Sequence, residues 1–283
     1  MKKGLFLILI TILSACQSTM MTGTSTPITD TIQPSSTLTA SPTKTFTQIP
    51  TQTVIPPTIT PIPFSVCCPL EDETFDSLPL ILVNPLDIPP FGQDVGHHGV
   101  DFAYFKRGER QSIQGIEIYA ILSGKTVLTL EDDIPYGYAI MLETPLIGLP
   151  ESLADTLLSG YLPVPEDPHY RLYCPPIDPP IHTGQYSIYH LYAHMEERPT
   201  FEPGEWVSCG EELGTVGNTG YSSNPHLHLE TRLGPSDASF STMAHYENTD
   251  TLEQMANYCL WRMSGYYQLF DPFILFQAQF TSP

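Results

Sequence analysis

The chain has 283 residues, with 31 acidic and 11 basic side chains and a formal charge of −20. Such a surface repels nucleic acid and anionic lipid headgroups beyond short range, so neither is expected as a partner. Thirty of the acids and eight of the bases fall after residue 62, where 221 residues of strong apolar content suffice for one substantial core.

The N-terminus has the pattern of an export signal. Lys2 and Lys3 precede a short apolar run from Gly4 to Leu13, and Leu13-Ser14-Ala15-Cys16 places small residues before a cysteine. The run is too short to span a bilayer. It resembles a bacterial lipobox, which implies removal of residues 1–15 and lipid attachment at Cys16. The expected product is an exported lipoprotein of the cell envelope, anchored to the lipid bilayer through acylated Cys16. Residues 17–62 hold 15 Thr, 5 Ser and 7 Pro, with Asp30 and Lys44 the sole charged residues. They cannot bury enough apolar surface to offset the entropy of ordering, so 16–62 is expected to be a disordered stalk that gives the folded part reach.

From residue 63 to 283 the pattern predicts one mainly β domain. Val100 to Phe105, Glu117 to Leu122, Lys125 to Leu130, Tyr138 to Leu142, Tyr186 to His194, Glu205 to Cys209 and His226 to Arg232 are strand-like, several with period-two alternation. Alternation puts Ile188, His190, Tyr192 and His194 on one face. Between Glu143 and Gln185 lies a Pro-rich insertion, about 144–185, with a brief helix expected over Leu153 to Leu158; a stretch this long is expected to be an elaborated loop, functional or bridged, that could wall one side of a cleft. A C-terminal helix is predicted over 251–264, with Leu252, Met255, Ala256, Cys259, Leu260 and Met263 on one stripe, Asp250 with Glu253 as a capping pattern and Gly265 as the stop.

Cys67, Cys68, Cys174, Cys209 and Cys259 remain beyond Cys16. Five cysteines in an oxidising compartment allow at most two bridges and leave one thiol, and the lack of paired C-x-x-C units favours disulfides over a cysteine-rich metal site. A bridge from Cys259 on the helix stripe to Cys67 or Cys68 would pin the two ends of the domain together.

Four short pieces carry the chemistry: His97-His98-Gly99-Val100-Asp101, Tyr192-Ala193-His194, the Gly-rich run Gly214 to Gly220, and His226-Leu227-His228. Each alone is weak; their order and flanking residues give them weight. In an extended chain His97, Gly99 and Asp101 share a face and His98 points away. Side chains two apart on a strand stand roughly 6.5 to 7 Å apart at the backbone, so one histidine of His226-Leu227-His228 can ligate a metal while the other faces a bound water. His190 is either a groove residue or structural, and His169, His182 and His245 are expected on surface loops.

His-x-Gly-x-Asp-Phe-Ala, Tyr-Ala-His, Gly-x-x-Gly-x-Thr-Gly and Pro-His-Leu-His-x-Glu together resemble the lysostaphin-type (LytM-like) zinc endopeptidases, which cut peptide bonds in bacterial cell-wall peptidoglycan. The resemblance runs from about Gly96 to Gly234, the expected domain core, with a last echo at Asp271-Pro272. It implies one Zn2+ held by His97, Asp101 and His228, with His194 and His226 as the catalytic pair. It also implies a largely antiparallel sheet forming a groove, of barrel-sandwich or duplicated hybrid type, and peptidoglycan peptides as the partner. The chain departs from the family pattern at Asp94-Val95-Gly96, where an arginine is common before the first histidine, at Asn224, where glycine is common, and in the insertion. A non-catalytic relative that binds wall material or activates another hydrolase is the alternative; loss of ligands is expected in such a relative, and here all five positions are filled.

Overall fold

The computed structural model describes residues 64–181 and 183–278. The export signal, Cys16, the stalk and His182 lie outside the described residues.

The helices are α1 (Leu78–Ile81), α2 (Glu151–Gly160), α3 (Leu252–Arg262) and α4 (Phe273–Ala278). The strands are β1 (Leu82–Asn84), β2 (Val100–Phe102), β3 (Glu117–Tyr119), β4 (Gly124–Asp133), β5 (Gly137–Pro145), β6 (Tyr186–Met195), β7 (Trp206–Val207), β8 (Glu212–Thr215), β9 (Leu227–Pro235) and β10 (Gln268–Leu269). Eight of them form one sheet in the order β1-β2-β9-β6-β5-β4-β7, with β10 also on β9, while β3 and β8 pair separately. Every pairing is antiparallel. The mainly β, antiparallel expectation therefore holds, and each predicted strand finds a counterpart.

Both faces of the sheet are buried, which explains why β6 and β9 have almost no exposed position. On one face Ile188, Tyr192, Leu227, Leu229 and Leu233 join a core with Val100, Phe102 and Leu142. On the other, Tyr189, Leu191 and Ala193 pack with Tyr136, Tyr258, Trp261 and Tyr267. Each fully buried Leu or Ile stabilises the fold by about 1.5–3 kcal/mol. Along β9 the residues between the leucines, His228, Glu230 and Arg232, project to the second face, so a polar row is sunk into an aromatic core.

The helix α3 forms as expected, but its start is one residue later than the Asp250 pattern suggests. Thr251 is the N-cap and its side chain accepts from the Gln254 backbone N–H, while Gln254 closes the box. Asp250 instead accepts from Glu247 N in the preceding turn. Leu252, expected on the buried stripe, is 62% exposed.

The disulfides are Cys67–Cys209 and Cys174–Cys259, with Cys68 free. Two bridges and one thiol match the expectation; the guessed partner of Cys259 does not, because Cys259 fastens the insertion to α3. The insertion also holds the loop before His97, through Arg171 N–H donating to Gly92 O at 2.8 Å. Among the described residues, none lining the histidine cavity comes from 144–185, so the insertion steadies the loop before His97 and does not wall the cavity.

Candidate metal centre

Register alone brings two of the predicted ligands together. Asp101 on β2 pairs with His228 on β9, and directly paired residues of antiparallel strands share a face. Val100 and Phe102 on either side point into the opposite core, leaving Asp101 toward the cavity. His97 precedes β2, where its backbone exchanges two hydrogen bonds with Asp87, Asp87 N to His97 O at 2.8 Å and His97 N to Asp87 O at 3.1 Å. Gly99 lies between them for lack of room: a Cβ there would meet Leu229 O at 2.6 Å and His228 Cε1 at 2.9 Å.

The three ligand atoms converge. His97 Nε2 is 3.1 Å from Asp101 Oδ1 and 3.2 Å from His228 Nδ1, and His228 Nδ1 is 2.8 Å from Asp101 Oδ1. These spacings approach the roughly 3.3 Å edge of a tetrahedral site with bonds of about 2.0 Å. Neighbouring groups fix the tautomers. His97 Nδ1–H donates to Pro85 O at 3.0 Å, and His228 Nε2–H donates to Glu230 Oε1 at 3.3 Å. Asn84 Nδ2 donates to the other Asp101 oxygen at 3.1 Å. What meet at the centre are therefore two imidazole lone pairs and a carboxylate oxygen, all acceptors, and only a proton or a metal cation can lie among them. His228 reports the same demand for positive charge: burial pushes its pKa down, but Asp101 and Glu230 outweigh burial and hold it up at about 9. Burial likewise opposes ionisation of Asp101, yet bonds from His228 and His97 keep its carboxyl well below the usual range. The donor set fits a divalent metal of borderline softness, with the outer hydrogen bonds such sites carry.

The predicted catalytic pair stands beside this group. His194, His226 and His228 place ligand-capable atoms within 4.8 Å of one another, and the His194 and His226 ring centroids are 4.6 Å apart. His194 reaches the site against strand alternation. Ala193 pairs with His228, so His194 ought to face the opposite core with His190 and Tyr192. Instead the β5–β6 register shifts between Tyr138 and Ile140, and His194 takes φ 59°, turning its side chain to the His228 face. The expectation that His190, Tyr192 and His194 share a face is thus corrected by a bulge. His190 is a buried structural residue of the other core, bonded to Thr144 Oγ1 and Tyr192 OH.

The Gly-rich run holds His194 in place. His194 Nδ1–H donates to Thr219 O at 2.8 Å, and Thr219 Oγ1 donates to Met195 O while accepting from Tyr138 N. Gly220, at φ 68°, lets this turn lie against Gly137; a Cβ there would meet Gly137 N at 2.3 Å. His226 Nδ1–H donates to Asn224 O at 2.8 Å, leaving Nε2 as its free base, 3.5 Å from Asp101 Oδ1. Burial keeps both rings neutral, driving His194 down to about 3 and His226 below its ordinary value. The cavity above them is about 710 Å³, with Tyr221, Ser222, Tyr246 and Arg262 in its lining.

Beneath the centre lies a charge network that sequence reasoning missed. Glu230, fully buried, accepts from Tyr136 OH, Arg232 Nε and Trp261 Nε1 at 2.8, 3.0 and 3.0 Å, besides His228. Arg262 Nε, from the last turn of α3, donates to Asp94 Oδ1 at 2.7 Å, and its NH1 lies 3.4 Å from Glu230 Oε1. Tyr258 and Tyr246 hydroxyls donate to Asp94. Asp94, three residues before His97, thus receives a guanidinium from α3. The His98 ring lies in the charge network instead, where its Nδ1 accepts from Arg232 NH2 at 2.9 Å. His245, expected at the surface, is buried, and its Nε2–H donates to Tyr173 O at 2.9 Å. His169 is exposed as expected.

Residues 181–239 match the sequence model of Peptidase family M23. That segment carries His194, the Gly-rich run, His226 and His228, and the resemblance to lysostaphin-type peptidases holds across it. Comparison with curated proteins finds no match. Among solved structures, the catalytic domain of the antimicrobial peptidase lysostaphin from Staphylococcus simulans aligns at 19% identity and TM-score 0.36, covering 73% of this chain and 99% of that one. A Pseudomonas aeruginosa protein assigned to peptidase M23 aligns at 18% identity and TM-score 0.32, over 75% of this chain and 54% of the other, so this chain spans about half of that protein. A zinc-containing peptidase from Vibrio cholerae aligns at 18% identity and TM-score 0.29, over 59% and 33% of the two chains. At these scores the structural likeness carries no weight in assigning function.

Proposed function

We propose that this protein is a zinc endopeptidase that hydrolyses peptide bonds in bacterial peptidoglycan, held to the membrane through lipidated Cys16. The observation that carries the reading is the convergence of His97 Nε2, Asp101 Oδ1 and His228 Nδ1 as three lone-pair donors, with two further neutral imidazoles alongside. Zinc bound by these residues supplies a Lewis acid for a water molecule and for the scissile carbonyl oxygen.

The chain's own groups supply the proton traffic. His194 and His226 have their Nδ1–H groups committed to Thr219 O and Asn224 O, so each presents Nε2 as a base. Either can take the proton of the attacking water at Nε2 and, once it has that proton, return it to the departing amine. The same Nε2–H, while held, donates to the oxyanion of the tetrahedral adduct. The positive φ of His194 and the Thr219 bond aim its ring before substrate arrives, which lowers the orientation cost of the reaction. A non-catalytic wall-binding or activating role is disfavoured because it has no use for two aimed, neutral bases beside a filled ligand set.

The test is incubation of the purified chain with isolated wall sacculi of different cross-link types, with and without chelator, followed by mass analysis of released fragments. New peptide termini that vanish with chelator support the reading; intact peptides with every sacculus type contradict it. Anchoring is tested separately by incorporation of a labelled fatty acid, which Cys16→Ala is expected to abolish. Among the described residues no helix is long and apolar enough to cross a membrane.

A further inference from the structure

The far end of the sheet carries a second polar cavity, of about 270 Å³, whose lining shares no residue with the histidine site. Register builds it. Trp206 on β7 pairs with Lys125 on β4, Lys125 with Glu143 on β5, Glu143 with Tyr189 on β6, and Tyr189 with Arg232 on β9. Paired positions share a face, so Trp206, Lys125 and Glu143 form a row on the face that carries His228. From strand spacing and rise, the row lies roughly 15–25 Å from the histidines.

Glu143 is unevenly satisfied. Its side chain is 3% exposed, and Oε1 accepts from Ser187 Oγ, Tyr189 OH and Asp237 N at 2.8, 3.1 and 2.7 Å. Oε2, equally buried, accepts from no described group. Lys125 Nζ stands 3.8 Å from Oε2 and 3.8 Å from Asp237 Oδ1, beyond hydrogen-bond reach of either. A buried carboxylate oxygen left without a donor calls for an explanation, and here it belongs to a residue lining a cavity. Trp206, 52% exposed on the edge strand, lines the same cavity.

A ligand for this place must donate to Oε2 and accept from Nζ with neighbouring groups, and offer an apolar face to an indole. An amine would satisfy the carboxylates but be repelled by Nζ; a phosphate would satisfy Nζ but be repelled by Glu143 and Asp237. Adjacent hydroxyls on a sugar ring do both at once, and the ring's C–H face suits Trp206. We propose that the Trp206–Lys125–Glu143 cavity is a saccharide-binding site. Its volume, at the small end for ligand pockets, accommodates one ring of a longer chain. The site stands apart from the proposed hydrolysis; if both hold, it retains a glycan while an attached peptide reaches the histidines.

The chain has two tryptophans, and Trp261 is fully buried with its indole N–H on Glu230. The indole signals of ¹⁵N-labelled full chain therefore distinguish Trp206 directly. Titration with N-acetylglucosamine tetramer, or with peptide-stripped glycan strands, is expected to shift the Trp206 signal with a Kd below roughly 1 mM. A response to one saccharide alone keeps the proposal and identifies its source. Lys125→Met and the surface variant Trp206→Ala, the latter followed by calorimetry, are each expected to weaken binding at least about tenfold. Neither is expected to change hydrolysis of a soluble peptide, so this result is separable from the catalytic one. No shift with either saccharide at roughly 10 mM, undiminished binding in both variants, or a shift with lysine amide or inorganic phosphate in place of sugar would overturn the proposal.

Discussion

Replacing Glu230 by Gln removes one negative charge and no volume, so its effect isolates the buried network beneath the proposed metal centre. Tyr136, His228 and Arg262 approach Oε1, while Arg232 and Trp261 approach Oε2. Every one of these groups is a donor, so either orientation of a glutamine amide sets an NH2 against N–H or O–H groups. Arg262 retains Asp94, but Arg232 loses its one carboxylate partner in a site with 0% exposure at Glu230. Breaking a buried ion pair by deleting one partner costs about 3–5 kcal/mol. For a domain of this size each kcal/mol is roughly 2–4 °C, so the melting midpoint is expected to fall by roughly 6–20 °C. His228 keeps at best a neutral amide oxygen in place of the carboxylate that fixes its tautomer, and zinc affinity is expected to fall roughly 10–100-fold. Thermal unfolding with metal removed gives the first quantity, and competition against a chromophoric chelator gives the second. A variant melting within about 2 °C of the parent and binding zinc equally well would show that the network is neither structural nor orienting.

His194→Ala is expected to keep the metal, because His97, Asp101 and His228 are untouched, while turnover drops roughly 10²–10⁴-fold; metal analysis beside a peptide-release assay separates the two effects. Gly99→Ala drives a Cβ against Leu229 O and the His228 ring, with an expected cost of about 1–3 kcal/mol in stability and weaker metal binding, checked by denaturant melts and chelator competition. Acid sensitivity follows from His190, which burial drives from 6.5 down to about 3. Below pH 6.5 the unfolded chain binds a proton that the native chain refuses until about pH 3, so stability falls with pH across that window. His190→Gln is expected to flatten the fall; an unchanged slope in urea midpoints between pH 6.5 and 4 would refute this assignment.

The strands were legible because they rest on local rules, whereas His97, Asp101, His194, His226 and His228 were singled out by the resemblance of their motifs to a peptidase family. Period two located β6 and β9, and the His-x-Gly-x-Asp and His-x-His spacings survive as real juxtapositions because β2 pairs with β9 in the register that sets Asp101 against His228. The same rule misplaced His194, since a bulge is a two-strand event with no mark in β6 alone. Glu230 lay within reach: two residues beyond His228 on a strand, it had to share that face. Arg262 did not, because its role depends on where α3 docks. The Cys259 partner was invisible for the same reason, as it depends on the path of the insertion over the helix.

The central claim is a metal held by His97, Asp101 and His228. Its most direct test is the metal content of the chain purified without chelator, compared with His97→Ala, Asp101→Ala and His228→Ala. One zinc per parent chain, with little or none in the three variants, is the predicted result. A parent free of transition metal, or variants that retain zinc in full, would contradict it.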